Sequence, residues 1–160
     1  MAELTVGDPA PDFRIPAVTR QGEMRLSLAD YRGKSAVVLY FYPKDDTPGC
    51  TTESCNFRDM GPDFAAAGGT ILGISPDDQA SHVAFAEKHA LPFPLLADTD
   101  HAVAEAYGVW KEKNNYGKTY WGIERTTFVI DKEGKIACVY PRVKVEEHAR
   151  QVLEFVRGLS

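Results

Sequence analysis

Uninterrupted apolar runs and alternating segments together indicate where the strands of this chain lie. Ala36–Tyr42 is apolar at almost every position, which is typical of a central strand that is covered on both faces. Thr70–Ile74 predicts a second core strand. Thr126–Ile130 and Ile136–Tyr140 are joined by five residues that include a glycine, and this connection predicts a hairpin.

The segments between these strands show the spacing and end signals of helices. Thr47 suits the N-cap position of the first helix, and Pro48 suits its first helical position. The last helix is amphipathic and turns Val152, Leu153, Phe155 and Val156 inward. The predicted helices are Pro48–Asp59, which resumes after a break at Gly61-Pro62 and runs to Ala67, then Gln79–His89, His101–Tyr107 and Val145–Gly158.

Three further segments are less regular. Val6–Pro16 contains three prolines and is predicted to be extended along the body of the protein. Met24–Leu28 alternates weakly and is predicted to pair with Phe13–Ile15 across a turn at Gln21-Gly22. Lys111–Trp121 is polar and aromatic, and we interpret it as a long loop.

The order strand, helix, strand, helix, hairpin, helix predicts an α/β fold of the thioredoxin-like type. Its mixed central β-sheet is flanked by helices, and the N-terminal segment adds an extended or hairpin extension. No internal repeat, low-complexity tract or linker marks a boundary. We therefore predict a single domain over residues 1–160.

Composition and charge narrow the class of protein. Hydrophobic residues make up 44% of the chain and charged residues 26%, as in an ordinary globular protein. The formal net charge of −5 with scattered basic residues argues against nucleic-acid binding. Residues 1–11 resemble neither a signal peptide nor a transit peptide, and no stretch approaches the roughly 20 apolar residues of a membrane span. We expect a cytoplasmic protein whose three cysteines are reduced at rest.

The candidate chemistry lies at the start of the first helix. The run Thr47-Pro48-Gly49-Cys50 places a thiol in the first helical turn, and Cys55 follows five positions later. First-turn N–H groups and the positive end of the helix dipole favour a thiolate there. Cys50 is therefore a candidate nucleophile, with Cys55 as its candidate partner.

The spacing of the two cysteines has a geometric consequence. In a regular α-helix, residues five apart differ by about 7.5 Å of rise and about 140° of rotation, which separates their Cα atoms by about 8.6 Å. A disulfide tolerates about 7 Å at most. The pair can therefore bond only if this turn unwinds, and Pro48, Gly49 and the break at Gly61-Pro62 could ease that local opening.

We assign no catalytic or metal-binding role to the remaining cysteine or to the histidines. Cys138 lies inside a predicted strand and is interpreted as an inert, buried residue. Two cysteines five apart lack the usual spacing of zinc ligands, and the histidines show no metal-site pattern. We expect no metal and interpret each histidine as solvated, namely His82, His89, His101 and His148.

These residues resemble a known family, the peroxiredoxins. Their Pro-x-x-x-Thr-x-x-Cys signature matches Pro43-Lys44-Asp45-Asp46-Thr47-Pro48-Gly49-Cys50, and the following x4-Cys matches the Q-type subfamily, also called bacterioferritin comigratory proteins. The similarity extends over nearly the whole chain, through Val6–Phe13, Leu72–Ser75, Tyr107–Trp110 and Arg125–Asp131.

The resemblance implies a thioredoxin-dependent thiol peroxidase that reduces hydrogen peroxide and organic hydroperoxides. It implies that Cys50 is the peroxidatic cysteine and passes through a sulfenic acid. Cys55 would resolve that acid in a transient disulfide, which thioredoxin, glutaredoxin or both reduce. Thr47, Pro43 and Arg125 complete the implied site. No cofactor is needed, and the subfamily implies a monomer, sometimes a dimer.

The implied roles suit the residue types. The Thr47 hydroxyl can both accept and donate, although its N-cap role competes for the same oxygen. Arg125 stays charged and presents fixed donors to a thiolate or a departing oxygen, while an exposed position at a strand end is the plain alternative. Pro43 cannot donate a hydrogen bond and can shield the pocket, or it can simply end the strand. Glu53 either anchors the helix or tunes the site, or is a solvated helical charge.

Two other functions stay open at this point. One is disulfide exchange on protein substrates, against which the missing Cys-x-x-Cys counts. The other is a redox-sensing or holdase module whose cysteines signal without turnover. Counting thiols after one equivalent of peroxide separates these from catalysis, because only a peroxidase loses two thiols rapidly and regains them over many cycles.

Overall fold

A mixed β-sheet forms the centre of the computed structural model, which describes residues 4–159. Met1–Glu3 and Ser160 lie outside the described residues. The predictions of a single domain over residues 1–160 and of no signal or transit peptide in residues 1–11 therefore fall partly outside them. The strands are β1 Arg14–Thr19, β2 Gly22–Ser27, β3 Ala36–Phe41, β4 Gly69–Ser75, β5 Leu95–Ala97, β6 Trp110–Asn115, β7 Lys118–Ile123, β8 Thr126–Ile130 and β9 Ile136–Tyr140. The α-helices are α1 Pro48–Asp59, α2 Gly61–Ala66, α3 Gln79–His89, α4 Ala102–Ala106 and α5 His148–Arg157.

Seven of these strands form the sheet in the order β2-β1-β5-β4-β3-β8-β9. The central strand β3 runs parallel to β4 and antiparallel to β8, so that Leu39 lies opposite Leu72 on one side and Phe128 on the other. Strand β5 is parallel to β4, whereas β1 and β9 join antiparallel. The predicted mixed sheet flanked by helices is confirmed.

Two apolar cores lie on opposite faces of the sheet, because successive side chains of β3 point to opposite sides. Val38, Tyr40 and Tyr42 pack under α1, α2, α3 and α5. Val37, Leu39 and Phe41 pack on the other face, which α4 and the N-terminal segment cover. The prediction that β3 is buried on both faces is confirmed, and α1 starts directly beyond the end of this strand.

The N-terminal segment agrees with its prediction in outline. Gly7 donates its backbone N–H to the carbonyl of Ile136 at 2.8 Å, which ties the segment along the β8–β9 connection. The predicted pairing with the next segment is present as β1 and β2, but Thr19 pairs with Gly22, so the turn is Arg20-Gln21 and lies one residue earlier than predicted.

The prediction of a long loop over Lys111–Trp121 is wrong. These residues form the separate two-stranded hairpin β6–β7, in which Asn115 pairs with Lys118. Its two turn residues, Tyr116 and Gly117, have φ values of 53° and 84°, as the tight turns of two-residue hairpins require. Most residues of the hairpin are exposed to solvent, so its sequence lacks the alternation of apolar and polar residues that indicates a half-buried strand.

The helices follow their predicted bounds closely. α1 and α3 have the predicted ends, α4 is shorter by one residue at each end, and α5 begins three residues later than predicted. None of the helices in residues 4–159 combines the length and apolar character that crossing a bilayer requires.

Candidate active site

Cys50 lies in the first turn of α1, where the chain re-enters the body of the protein after β3. Thr47 occupies the N-cap position with extended backbone angles, and Pro48 follows as the first helical residue, as predicted. The Cys50 side chain is only 1% exposed and packs against the aromatic core under the helices. The sulfur is therefore held at a helix N-terminus but shielded from bulk water.

Arg125 joins two other side chains into one cluster. It leaves the chain between β7 and β8, and its Nη2 donates to the Cys50 Sγ at 3.3 Å while its Nη1 donates to Glu53 Oε1 at 2.8 Å. Burial works against the charge of this guanidinium, but the neighbouring Glu53 and Cys50 outweigh it, so the pKa of Arg125 lies above its ordinary value. The plain alternative, an exposed arginine at a strand end, is wrong, because its side chain is only 18% exposed.

Glu53 is the most unusual ionisable group of this cluster. Its side chain is 1% exposed, and its Oε2 finds no hydrogen-bond partner within residues 4–159. Burial raises the pKa of Glu53 to about 7, although Arg125 pulls in the opposite direction. The interpretation as a solvated helical charge is therefore wrong, and Glu53 anchors α1 to Arg125.

Thr47 and Pro43 border the cluster on the loop before α1, and both are half-buried. The Thr47 hydroxyl donates to the backbone carbonyl of Lys44 at 2.9 Å and makes no capping bond to α1. A hydroxyl that donates in this way keeps its lone pairs for a ligand. Thr47 thus caps the helix by position only.

Among the three cysteines, the hydrogen bond to Arg125 is made by Cys50. Cys55 is half-buried in the middle of α1, and all three thiols are free. Because α1 is continuous from Pro48 to Asp59, Cys50 and Cys55 are held about 8.6 Å apart between Cα atoms, as regular helix geometry requires. Cys138 packs against the core from the edge strand β9, but it is half-buried rather than buried as predicted.

A second contact fixes α1 to the sheet, and sequence reasoning missed it. The hydroxyls of Ser54 and Tyr40 lie 2.8 Å apart, and both residues have no exposed surface. Gly73 on β4 makes room for this arrangement, because a Cβ at that position would lie 2.8 Å from the Tyr40 hydroxyl. A glycine inside an otherwise apolar strand is the signal of such a close approach.

The loop before α1 is held by a polar network on α3. The Asp45 carboxylate accepts from the hydroxyls of Tyr42 and Ser81 and lies 2.7 Å from His82 Nδ1. The other ring nitrogen of His82 contacts the carbonyl of Leu96 at 2.8 Å. Asp45, Asp77 and His82 are close enough to share a cation, but these hydrogen bonds already occupy their ligand atoms. We interpret the network as a clamp on the loop.

The prediction that all four histidines are solvated is wrong for two of them. His82 and His148 are buried, with exposures of 0% and 2%. His148 lies 2.7 Å from the Thr127 hydroxyl, and burial lowers its pKa to about 4. Buried histidines need polar partners in the fold, which the sequence pattern does not reveal.

Lys113 brings the β6–β7 hairpin into the electrostatics of the site. Burial and the nearby Arg125 lower the pKa of Lys113, while Glu124 and Cys50 oppose that shift. Because we interpreted this region as a loop, the sequence did not indicate that Lys113 lies near the site. The register that places Lys113 opposite Tyr120 exists only in a hairpin.

The chain is similar over most of its length to proteins of one family. Residues 6–139 match the model of the AhpC/TSA family. The chain is 50% identical over 157 residues to peroxiredoxin Bcp of Bacillus subtilis, covering 98% of both chains, and 54% identical over 150 residues to a putative peroxiredoxin bcp of Coxiella burnetii, covering 94% of this chain and 97% of that one. It also resembles the structure of the Xanthomonas campestris bacterioferritin comigratory protein, which was solved in trapped intermediate/ligand complexes that concern its alkyl peroxide reduction activity. That similarity has a TM-score of 0.86 and 41% identity, and it covers 99% of this chain and 98% of the other.

Proposed function

The chain belongs to the AhpC/TSA family, and within it to the Q-type or Bcp peroxiredoxins, and on this premise we propose that it is a thiol peroxidase whose nucleophile is Cys50. Its substrates are hydrogen peroxide and organic hydroperoxides, and its products are water and alcohols. The observation that carries the residue assignment is the single guanidinium of Arg125 that contacts both the Cys50 sulfur and Glu53.

The first step is attack of the Cys50 thiolate on the O–O bond of the hydroperoxide. The sulfur gains one oxygen and becomes a sulfenic acid, and the other oxygen leaves with its electron pair and takes up a proton to give an alcohol or water. Arg125 supports the thiolate and stabilises the charge that develops on the departing oxygen. The free lone pairs of Thr47 accept the hydroperoxide O–H, and Pro43 keeps the adjacent edge of the site free of competing donors.

The second step is attack of the Cys55 thiol on the sulfenic acid, which forms the Cys50–Cys55 disulfide and releases water. The separation along α1 forbids this bond in the helical state. The segment 50–55 must therefore unwind, and the contacts of Glu53 with Arg125 and of Ser54 with Tyr40 must break.

The third step is reduction of the disulfide by a dithiol protein of the thioredoxin type, after which the helix re-forms. Electrons pass from the sulfurs of the reductant to the Cys50–Cys55 disulfide and from the Cys50 sulfur to the hydroperoxide, so the cycle uses no further cofactor. On the resemblance to the Q-type subfamily, the proposed enzyme is a monomer.

The test is to follow peroxide and thiols together in wild-type protein and in three cysteine variants. Cys50→Ser should abolish peroxide consumption, and Cys55→Ser should keep the first oxidation but lose recycling by thioredoxin. Cys138→Ala is the matched control and should behave as wild type. Substantial turnover in Cys50→Ser, or normal recycling in Cys55→Ser, would remove that residue from its assigned role.

The same experiment separates the other candidate functions. A protein-disulfide exchanger would react faster with a protein disulfide than with peroxide. A redox sensor would lose its thiols once and show no repeated turnover with thioredoxin.

A further inference from the structure

Two acidic groups depend on one cation in the cluster around Arg125. When Cys50 is a thiolate and Glu53 is a carboxylate, two negative charges face a single guanidinium. The Glu53 side chain is 1% exposed, and its Oε2 has no hydrogen-bond partner within residues 4–159. A proton on Oε2 removes the excess negative charge, and Oε1 can still accept from Arg125.

The other titratable groups that lie near this cluster in residues 4–159 do not neutralise its second negative charge. Tyr40 on β3 is directed to Ser54, and burial raises its pKa, so it stays neutral. His148 on α5 is neutral near pH 7, because burial lowers its pKa to about 4. Lys113 on β6 interacts with Arg125 and Cys50, whereas Arg125 is the charged group that acts on Glu53. Burial outweighs Arg125 and raises the pKa of Glu53 to about 7.

Glu53 lies inside the segment that must unwind for Cys50 and Cys55 to bond. Unwinding separates its carboxyl from Arg125 and exposes it to water, where a glutamate has a pKa of about 4.3. The helical state therefore binds one more proton than the unwound state between about pH 4.3 and pH 7. A low pH favours the helix, and this preference is lost as the pH rises through about 7.

We propose that Glu53 carries a proton of the redox cycle, which it holds while α1 is helical and releases to water when the segment 50–55 unwinds and the disulfide forms. In the reverse direction, the disulfide takes up two electrons and one proton to give the Cys50 thiolate and the Cys55 thiol, and the Glu53 carboxylate takes up a further proton as α1 re-forms. This inference rests on the proposed Cys50–Cys55 disulfide and adds a residue to its chemistry.

The test measures the equilibrium between the disulfide and a dithiothreitol redox buffer from pH 5.5 to pH 8, in wild-type protein and Glu53→Gln. Glutamine keeps the shape and accepts from Arg125 but cannot titrate. The Glu53 proton should change the wild-type constant by about 30-fold more than the variant constant over this range, which corresponds to about 44 mV for a two-electron couple. Ionisation of the Cys55 thiol and of dithiothreitol affects both proteins alike and drops out of the comparison. Glu87→Gln, at an exposed position on α3, is the matched control and should follow wild type.

A second measurement uses wild-type protein alone, and it decides the matter if the variant does not fold. Carboxyl carbon NMR should show Glu53 titrating near pH 7 in the reduced protein and near pH 4.3 in the oxidised protein, a shift that a merely structural role does not produce. Equal midpoints in the two states, or parallel pH profiles of wild type and Glu53→Gln, overturn the inference while leaving the peroxidase intact. Absence of an intramolecular disulfide in the mass spectrum overturns the proposed function and this inference with it.

Discussion

Removal of a single buried hydroxyl in Tyr40→Phe should make this peroxidase form the proposed Cys50–Cys55 disulfide faster. The Tyr40 hydroxyl lies 2.8 Å from that of Ser54. Ser54 belongs to the segment 50–55 that must unwind, whereas Tyr40 belongs to the central strand β3, which stays in place. The bond between them therefore stabilises the helical state and is absent from the unwound state.

The magnitude follows from the burial of the remaining partner. Ser54 has no exposed surface, and loss of the partner of a buried polar group costs about 1–3 kcal/mol. The lower part of that range applies here, because a serine hydroxyl can turn to the carbonyl four residues earlier in its own helix. A cost of about 1–2 kcal/mol that falls on the helical state raises the unwound population about 5–30-fold. The rate of disulfide formation should rise by the same factor, since unwinding precedes the bond.

The assay is a rapid-quench experiment after one equivalent of peroxide, with sulfenic acid and disulfide counted by mass spectrometry. Tyr40→Phe should also overoxidise less at high peroxide, because the sulfenic acid has a shorter life. Tyr42→Phe is the matched control. It removes a buried hydroxyl from the residue that follows the same strand, but that hydroxyl donates to Asp45 at 2.6 Å, outside the unwinding segment. The control should lose stability to urea without any gain in the resolving rate.

An unchanged or slower resolving rate in Tyr40→Phe would refute the reasoning, because the helix would then not limit the step. Ser54→Ala supplies a further check. The double variant Tyr40→Phe/Ser54→Ala should resolve no faster than the faster single variant, since both changes remove the same bond.

Three further predictions concern the guanidinium cluster and its surroundings. Arg125→Lys should lower the second-order rate constant for peroxide about 10–100-fold in stopped-flow measurements, because one ammonium cannot serve both Cys50 and Glu53. An unchanged rate constant would show that the two guanidinium donors do not assist the oxidation. Gly49→Ala places a Cβ 3.1 Å from Arg125 Nη2, so it should push that donor away from the Cys50 sulfur and slow oxidation to a smaller extent than Arg125→Lys. Since burial lowers the pKa of His148 to about 4, stability to urea should fall by up to about 3 kcal/mol as the pH drops from 6.5 to 4, and a change of equal size in His148→Gln would contradict this origin.

The local part of the site could be predicted from the sequence, and the long-range part could not. Helix-start rules act within a few residues, and they were enough to place Thr47, Pro48 and Cys50 correctly. Arg125 lies 75 positions beyond Cys50, so only the family resemblance pointed to it. The Tyr40–Ser54 contact and the buried state of Glu53 depend on how α1 packs on β3, which no periodicity encodes.

The errors have a common physical reason. The β6–β7 hairpin is polar on most of its surface, so its pairing left no hydrophobic alternation to read. His82 and His148 are polar residues that the fold buries with specific partners, and a composition-based expectation assigns them to solvent. The hairpin forms by its own cross-strand pairing and the histidines bind distant partners, and neither interaction leaves an apolar pattern in the sequence.

The clamp between Asp45 and His82 has a consequence for the return half of the cycle. Forming the first turn is the costly event in making any helix. Here the residues before that turn are tied to α3, with Asp45 on His82 and Asp46 on Lys88, by contacts that lie outside the segment 50–55. Once the reductant has cut the proposed disulfide, the helix can re-form from a first turn whose preceding residues are already in position. The segment 50–55 can thus unwind at every turnover and re-form its helix without a new nucleation step.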